Sequence, residues 1–372
     1  MSESTEPTPT LPTEQSTSTT ALPNPRRAST WKFTIGLVVL LIAGAGGWFA
    51  YVYSTSMPTP PDELHGLKTY LSNLSKTQQL ADVYTDADKD LVADPPQDPS
   101  KFLKVDEISF SLVGGDDPKG GAEGWKDFMA ALEKSTGKKV TYAADINSVQ
   151  EQTKALAEGR LHITAFNTGQ VSTAVNTAGF VPLFCPADKD GKYAYQMEIL
   201  VPASSPLQKP EDLRGKTIGL VALSSNSGGK APLVILKDKF GMLPGRDYKY
   251  TFTGDHVRAI KDVAAGRYEA VCVANDLLAQ VVGRGEVKPE QFRSIYKSES
   301  FPPLCFGIPN NLSPDLIAKV KQTFAEFSFS GNSVGKYYES RGLLKFAPVV
   351  YMNDWKLIRE VDDSLTRLLD PK

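Results

Sequence analysis

Read as a pattern of apolar and polar positions, the chain falls into four stretches. Residues 1–30 are rich in Ser, Thr and Pro and show no apolar period, the composition of a disordered tail. From Phe33 to Tyr53 no charged residue occurs, and Ile35 to Ala43 is strongly apolar. A helix crossing a bilayer needs about 20 such residues. Arg26, Arg27 and Lys32 precede the run, and Trp31, Trp48, Tyr51 and Tyr53 lie near its ends. Residues 31–53 are therefore expected as a single transmembrane anchor, with the tail cytoplasmic and everything after Tyr53 outside the inner membrane. The alternative is a cleaved signal peptide. Its apolar region is shorter, about 7–15 residues, and ends in small side chains, whereas this run ends in Phe49-Ala50-Tyr51-Val52-Tyr53.

Residues 54–104 read as a linker. Leu64, Leu67, Leu71 and Leu74 mark an amphipathic helix within it, and Ala93 to Ser100 is a turn-rich break. After Val105 the period switches repeatedly between two and 3.6. Strands are expected at 108–113, 139–143, 161–166, 199–202, 217–221, 248–252 and 270–273, with helices at 125–135, 148–158, 228–240 and 256–265 between them. Such alternation predicts mostly parallel sheets covered by helices, with ligands beyond the carboxyl ends of the strands. Residues 314–368 read as helices packed over the rest.

With 372 residues the chain exceeds one average domain, and its 41% hydrophobic content needs no disulfide or metal to build a core. A net charge of −2 offers no basic field for nucleic acid. Cys185, Cys272 and Cys305 each sit in or beside apolar stretches, as buried thiols or with one pair oxidised. There are three histidines, no Gly-x-Ser-x-Gly elbow and no His-Glu-x-x-His motif, so an enzyme is not expected.

Four strand-to-helix turns carry candidate chemistry. Ser224-Ser225-Asn226-Ser227-Gly228-Gly229 opens a helix with hydroxyls and small residues, so first-turn amides and the helix dipole could hold an oxyanion without a salt bridge. A plain Ser-rich cap is the other reading. Thr253-Gly254-Asp255-His256 would bring His256 toward the same cleft, or leave it as an exposed cap residue. Asn167 and Thr168 follow a strand as neutral donors, or form an ordinary polar turn. Asp276, after Asn275, would repel a dianion but could accept from a protonated oxygen or a ligand amine; alternatively it caps the next helix.

Taken with Gly266-Arg267-Tyr268-Glu269-Ala270, Ser300-Phe301-Pro302-Pro303 and Asn311-Leu312-Ser313, these turns resemble the phosphate/phosphite/phosphonate-binding proteins of ABC transporters, over residues 108–312. That resemblance implies a two-lobed type II periplasmic-binding-protein fold with two crossover hinge strands, residues 105–197 plus 298–372 forming one lobe and 198–297 the other. It implies that Ser225, Asn226, Ser227 and Gly228 hold the anion, with His256 and Asp276 contributed by the second lobe, and that an ABC permease is the membrane partner. Phe166-Asn167-Thr168 stands where the family often has an aromatic-Gly-Asn turn, and Ile146-Asn147 where it often has a tyrosine, so a phenol is missing from both places.

A tethered sensory module and a binder of sulfonate or of a thiamine precursor are the competing functions. The cleft turns offer Ser, Asn, Thr and His rather than stacking aromatics, which favours a compact oxyanion. Separately, Asp86, Asp88, Asp90 and Asp94 occupy loop positions 1, 3, 5 and 9, a spacing suited to Ca²⁺, although Leu91 replaces the turn glycine and Gln97 the closing glutamate. A solvated acidic linker has the same spacing.

Overall fold

The computed structural model describes residues 64–113 and 121–370. The expected tail (1–30), the anchor (31–53) and the linker before Leu64 lie outside these residues. Among the described residues, no helix is long and apolar enough to cross a membrane.

Two sheets organise the molecule. The first contains β1 (Glu107–Leu112), β2 (Lys139–Tyr142), β3 (Ile163–Phe166), β4 (Phe180–Ala187), β10 (Cys305–Pro309) and β11 (Lys345–Pro348) in the order β11-β4-β10-β3-β1-β2. The second contains β5 (Tyr195–Pro202), β6 (Thr217–Leu220), β7 (Lys249–Phe252), β8 (Ala270–Ala274) and β9 (Phe292–Phe301) in the order β7-β6-β8-β5-β9. The helices are α1 (His65–Ser75), α2 (Ala122–Thr136), α3 (Val149–Ala157), α4 (Val171–Ala178), α5 (Ala231–Phe240), α6 (His256–Ala264), α7 (Asn275–Gly283), α8 (Pro314–Glu326), α9 (Gly335–Tyr338), α10 (Tyr351–Asp354) and α11 (Lys356–Thr366).

The alternation expected from the apolar period is present, but the sheets are mixed rather than mostly parallel. β1 lies parallel to β2 and β3, and β6 lies parallel to β7 and β8. β4, β5, β9, β10 and β11 enter antiparallel. The reason is topological. The chain leaves the first sheet after β4, builds the second from β5 to β9, and returns at β10, so the returning strands run against their hosts. β11 also breaks the purely helical reading of 314–368. Its residues Phe346 and Ala347 are buried beside Pro186 and Cys185 of β4.

Each helix buries the stripe its spacing marks out. Trp125, Phe128 and Leu132 of α2 are fully buried and meet Phe110 of β1, whose ring centroid lies 5.3 Å from that of Trp125. This aromatic core continues through Phe306, Phe324 and Phe346 on one side of the first sheet. The other large core belongs to neither sheet alone. Phe166 and Val175 from the first half, Ile218 and Leu233 from the second, Leu67 and Leu71 of α1, and Trp355 and Ile358 form one cluster. Residues 298–372 are expected in the first lobe, yet α11 packs in this shared core and Lys237 of α5 donates to the Arg367 carbonyl. Burial of Leu67, Leu71 and Leu74 likewise makes α1 part of the body rather than a free linker element. Cys185, Cys272 and Cys305 are buried free thiols.

A buried ion pair crosses this core. Lys230 Nζ lies 2.7 Å from Asp362 Oδ1, with the side chains 0% and 1% exposed, and donates to the Gly169 carbonyl at 2.5 Å. Burial pushes the Asp362 carboxyl above the ordinary range, against the pull of Lys230. Removing one member leaves the other charge stranded in a dry site. Lys230→Met is therefore expected to cost about 3–5 kcal/mol of stability, and Lys230→Met with Asp362→Leu to recover much of that loss. Urea melts of the three proteins check this.

Candidate functional site

The strand ends converge on one cleft. Backbone pairing between β6 and β7 continues past both strands: Thr253 N donates to Leu220 O at 2.7 Å and Gly254 N to Val221 O at 3.1 Å. The turn before α6 is thereby laid against the turn after β6. Asp255 caps α6 by accepting from Arg258 N at 2.7 Å, which sets His256 as the first helical residue. Its Nδ1 accepts from Ala274 N at 3.2 Å. A main-chain N–H can only donate, so in the neutral ring the proton sits on Nε2. That nitrogen lies 3.3 Å from Ser225 Oγ.

Ser225 begins a turn of π-helix, Asn226–Lys230, that runs into α5. Such wide turns recur at functional sites. Its hydroxyl accepts from Gly228 N at 3.1 Å, while Lys230 N reaches back to Ser225 O at 3.0 Å. The amides of Asn226 and Ser227 belong to the first turn, where no helical acceptor exists, and no other acceptor meets them among the described residues. Both residues line a cleft of about 880 Å³, within the size range of small-ligand sites.

Of the residues singled out in the sequence, Ser224, Ser225, Asn226, Ser227, His256, Asp276, Asn167 and Thr168 all line this cleft. Gly228 does not. Its N–H is held by Ser225 and its carbonyl accepts from Val221 N at 2.6 Å. A Cβ there would fall 2.5 Å from the Val221 Cβ, and one at Gly229 2.1 Å from the Ala222 carbonyl oxygen. These glycines let the turn lie flat against the end of β6, and the Gly228 amide is already taken by Ser225.

Asn167 and Thr168 act on the frame as well as the lining. Asn167 Oδ1 accepts from Gly169 N at 3.1 Å, and Thr168 Oγ1 donates to Pro302 O at 2.8 Å, beside the return crossover. Gly169 abuts the opposing turn so closely that a Cβ would lie 2.7 Å from Ser224 O and 2.9 Å from Asn226 N. Asp276 is in the first turn of α7 without capping it; its carboxylate accepts from Arg341.

Two participants went unnoticed in the sequence. Tyr195, the first residue of β5, lines the cleft and accepts from Asn226 Nδ2 at 3.2 Å. Burial pushes its phenol up to about 12, so it remains a neutral donor. It supplies a hydroxyl of the kind missing near Phe166 and Ile146. Arg341 comes from the C-terminal segment. The adjacency of Tyr195 to the crossover was the one available signal; for Arg341 there was none, because its partner is far away in the chain.

The acidic loop lies apart from the cleft lining. Oxygens of Asp86, Asp88 and Asp90 come within 4.8 Å of one another. Leu91 takes the left-handed conformation usually left to glycine, with φ at 70°. Asp86 accepts from Asp90 N and Leu91 N, and Asp94 from Ala87 N, so loop amides already engage these carboxylates.

The description "ABC transporter, phosphonate, periplasmic substrate-binding protein" fits a family whose sequence profile matches residues 110–353. The chain belongs to that family. It is thus a substrate-binding component of a transporter and not an enzyme. The "Phosphate-import protein PhnD" of Mycolicibacterium smegmatis is 24% identical over 246 residues, 63% of this chain and 76% of that protein. Among solved structures, PhnD1 from Prochlorococcus marinus in complex with methylphosphonate is similar with a TM-score of 0.55 at 12% identity, covering 70% of this chain and 98% of that one. A binding component of a phosphonate ABC transporter from Pseudomonas aeruginosa gives 0.54 at 18% identity, over 65% and 81% of the two chains. These likenesses show the fold. Within it, Tyr195→Phe removes the acceptor of Asn226 Nδ2. It is expected to cost about 1 kcal/mol of stability, lowering the melting temperature, and to weaken ligand binding by about 1–2 kcal/mol; calorimetry alongside a thermal melt checks both.

Proposed function

We propose that the cleft captures a small phosphorus oxyanion, phosphonate, phosphite or phosphate, outside the cytoplasmic membrane and delivers it to an ABC permease. The observation that carries this is the pair of first-turn amides at Asn226 and Ser227, on residues that line the same cleft as His256. A tetrahedral oxyanion has the shape and charge for that set of donors, and the positive end of the helix dipole adds to them. Tyr195 and the Ser225 hydroxyl supply further neutral donors along the lining. The names of the Mycolicibacterium and Prochlorococcus relatives point to the same ligand class.

The two sheets serve as two lobes, hinged at residues 188–194 and 302–304, with the ligand between them. The uncharged apolar run 33–53, preceded by basic residues, supports a single-pass anchor holding this domain at the membrane. Membrane fractionation with external protease should release a fragment beginning near Thr55.

Calorimetry on the fragment Thr55 to Lys372 with phosphate, phosphite, methylphosphonate, 2-aminoethylphosphonate and taurine tests the ligand class. At least one phosphorus ligand should bind well below millimolar. Binding of none, or of taurine alone, rejects the reading. Ser227→Ala and His256→Ala should each weaken the anion by about 1–3 kcal/mol; unchanged affinity in both would place the ligand elsewhere.

A further inference from the structure

We propose that Arg341 sets the charge preference of the cleft: by neutralising Asp276 it admits a doubly charged oxyanion and withdraws the docking point for a ligand ammonium. This rests on the oxyanion reading above and narrows the ligand class within it.

An isolated carboxylate in an anion site has two effects. It repels a dianion, and it attracts either a protonated ligand oxygen or a ligand amine. Asp276 is not isolated. Its Oδ2 accepts from Nη2 of Arg341, and the Arg341 side chain is 3% exposed against 25% for Asp276. The guanidinium carbon lies 5.7 Å from the ring centroid of Tyr338, itself fully buried in the aromatic core of the first sheet. A planar cation seated against a fixed ring keeps its orientation, so the positive charge is built into the site rather than drawn from solvent.

The pair also joins the two halves. Tyr338 and its neighbour Val334 belong to the core of the first sheet, whereas Asp276 opens the helix that follows β8 of the second. The charge of Asp276 is compensated only while both halves face each other. Of the other charges along the lining, Lys126 pairs with Glu123, and both Lys261 and Arg284 pair with Glu286, all in more exposed positions, while Lys336 and Asp255 also line the cleft. Solvent screens those pairs, so they influence a ligand weakly. Among the described residues Arg341 is the cation in direct contact with Asp276. Ligands with a neutral or anionic second half, such as phosphate and methylphosphonate, suit this arrangement. An aminoalkyl phosphonate meets a carboxylate whose charge is already matched.

The test is calorimetry on the full-length protein at mildly alkaline pH, with phosphate, methylphosphonate and 2-aminoethylphosphonate. Wild type should favour the first two. Arg341→Gln should bind them about 10- to 100-fold more weakly and shift the preference toward 2-aminoethylphosphonate by at least about tenfold. Arg341→Lys, which restores the charge, should keep the wild-type order. A folded Arg341→Gln protein with the wild-type ratio overturns the proposal, as does a wild type that prefers the amine-bearing ligand. If Arg341→Gln does not fold, Asp276→Asn decides: tighter phosphate binding supports the proposal, and a tenfold loss of 2-aminoethylphosphonate without a gain for phosphate overturns it. A wild type that binds none of the three refutes the oxyanion reading itself, a separate result.

Discussion

A helix cannot satisfy its own first amides, and among the described residues two of them, at Asn226 and Ser227, meet no acceptor. The wide turn from Asn226 to Lys230 commits its later groups at once: Gly228 to Ser225 and Val221, and Lys230 to the Ser225 carbonyl. What remains are the amides of Asn226 and Ser227, two residues that line the cleft. The glycines beneath the turn let it settle against the strand end, and the β6–β7 backbone pairing sets His256 opposite it. Each of these contacts is ordinary. Their joint result is a set of donors gathered along the cleft lining, with His256 Nε2 3.3 Å from Ser225 Oγ.

That cluster is braced from outside its own sheet. Lys230 ties the base of the turn to Asp362 of α11 and to the carbonyl of Gly169, so the binding turn, the loop after β3 and the C-terminal helix share one buried contact. Tyr195 stands on the outgoing crossover, and Thr168 bonds to Pro302 at the returning one. Both passages between the sheets therefore touch residues of the site.

The sequence made much of this readable, and unevenly. Strands and helices whose side chains repeat along one segment stood out: Trp125, Phe128 and Leu132 mark a face without any knowledge of what it meets. Turns that join a strand to a helix were also readable, because capping chemistry is local, as at Asp255 and Ser225. Strand direction was not, since β10 and β11 acquire their partners from residues more than a hundred positions away. The same limit hid Arg341, whose carboxylate partner lies in another half of the molecule, and it disguised Gly228, which looked like an exposed donor until Val221 was seen against it. The place of α1 and α11 in a common core was equally invisible to segment-by-segment reading, because their apolar faces do not say whose cavity they fill.

The donors at Asn226 and Ser227 are peptide groups, and this has a consequence for how such a protein diverges. No single codon change other than one to proline deletes a peptide N–H. On the proposed oxyanion reading, substitutions can redress the side chains at Tyr195, His256, Asp276 or Arg341 while the peptide donors persist. A lineage built on this scaffold can thus wander among related ligands without passing through a form that binds nothing.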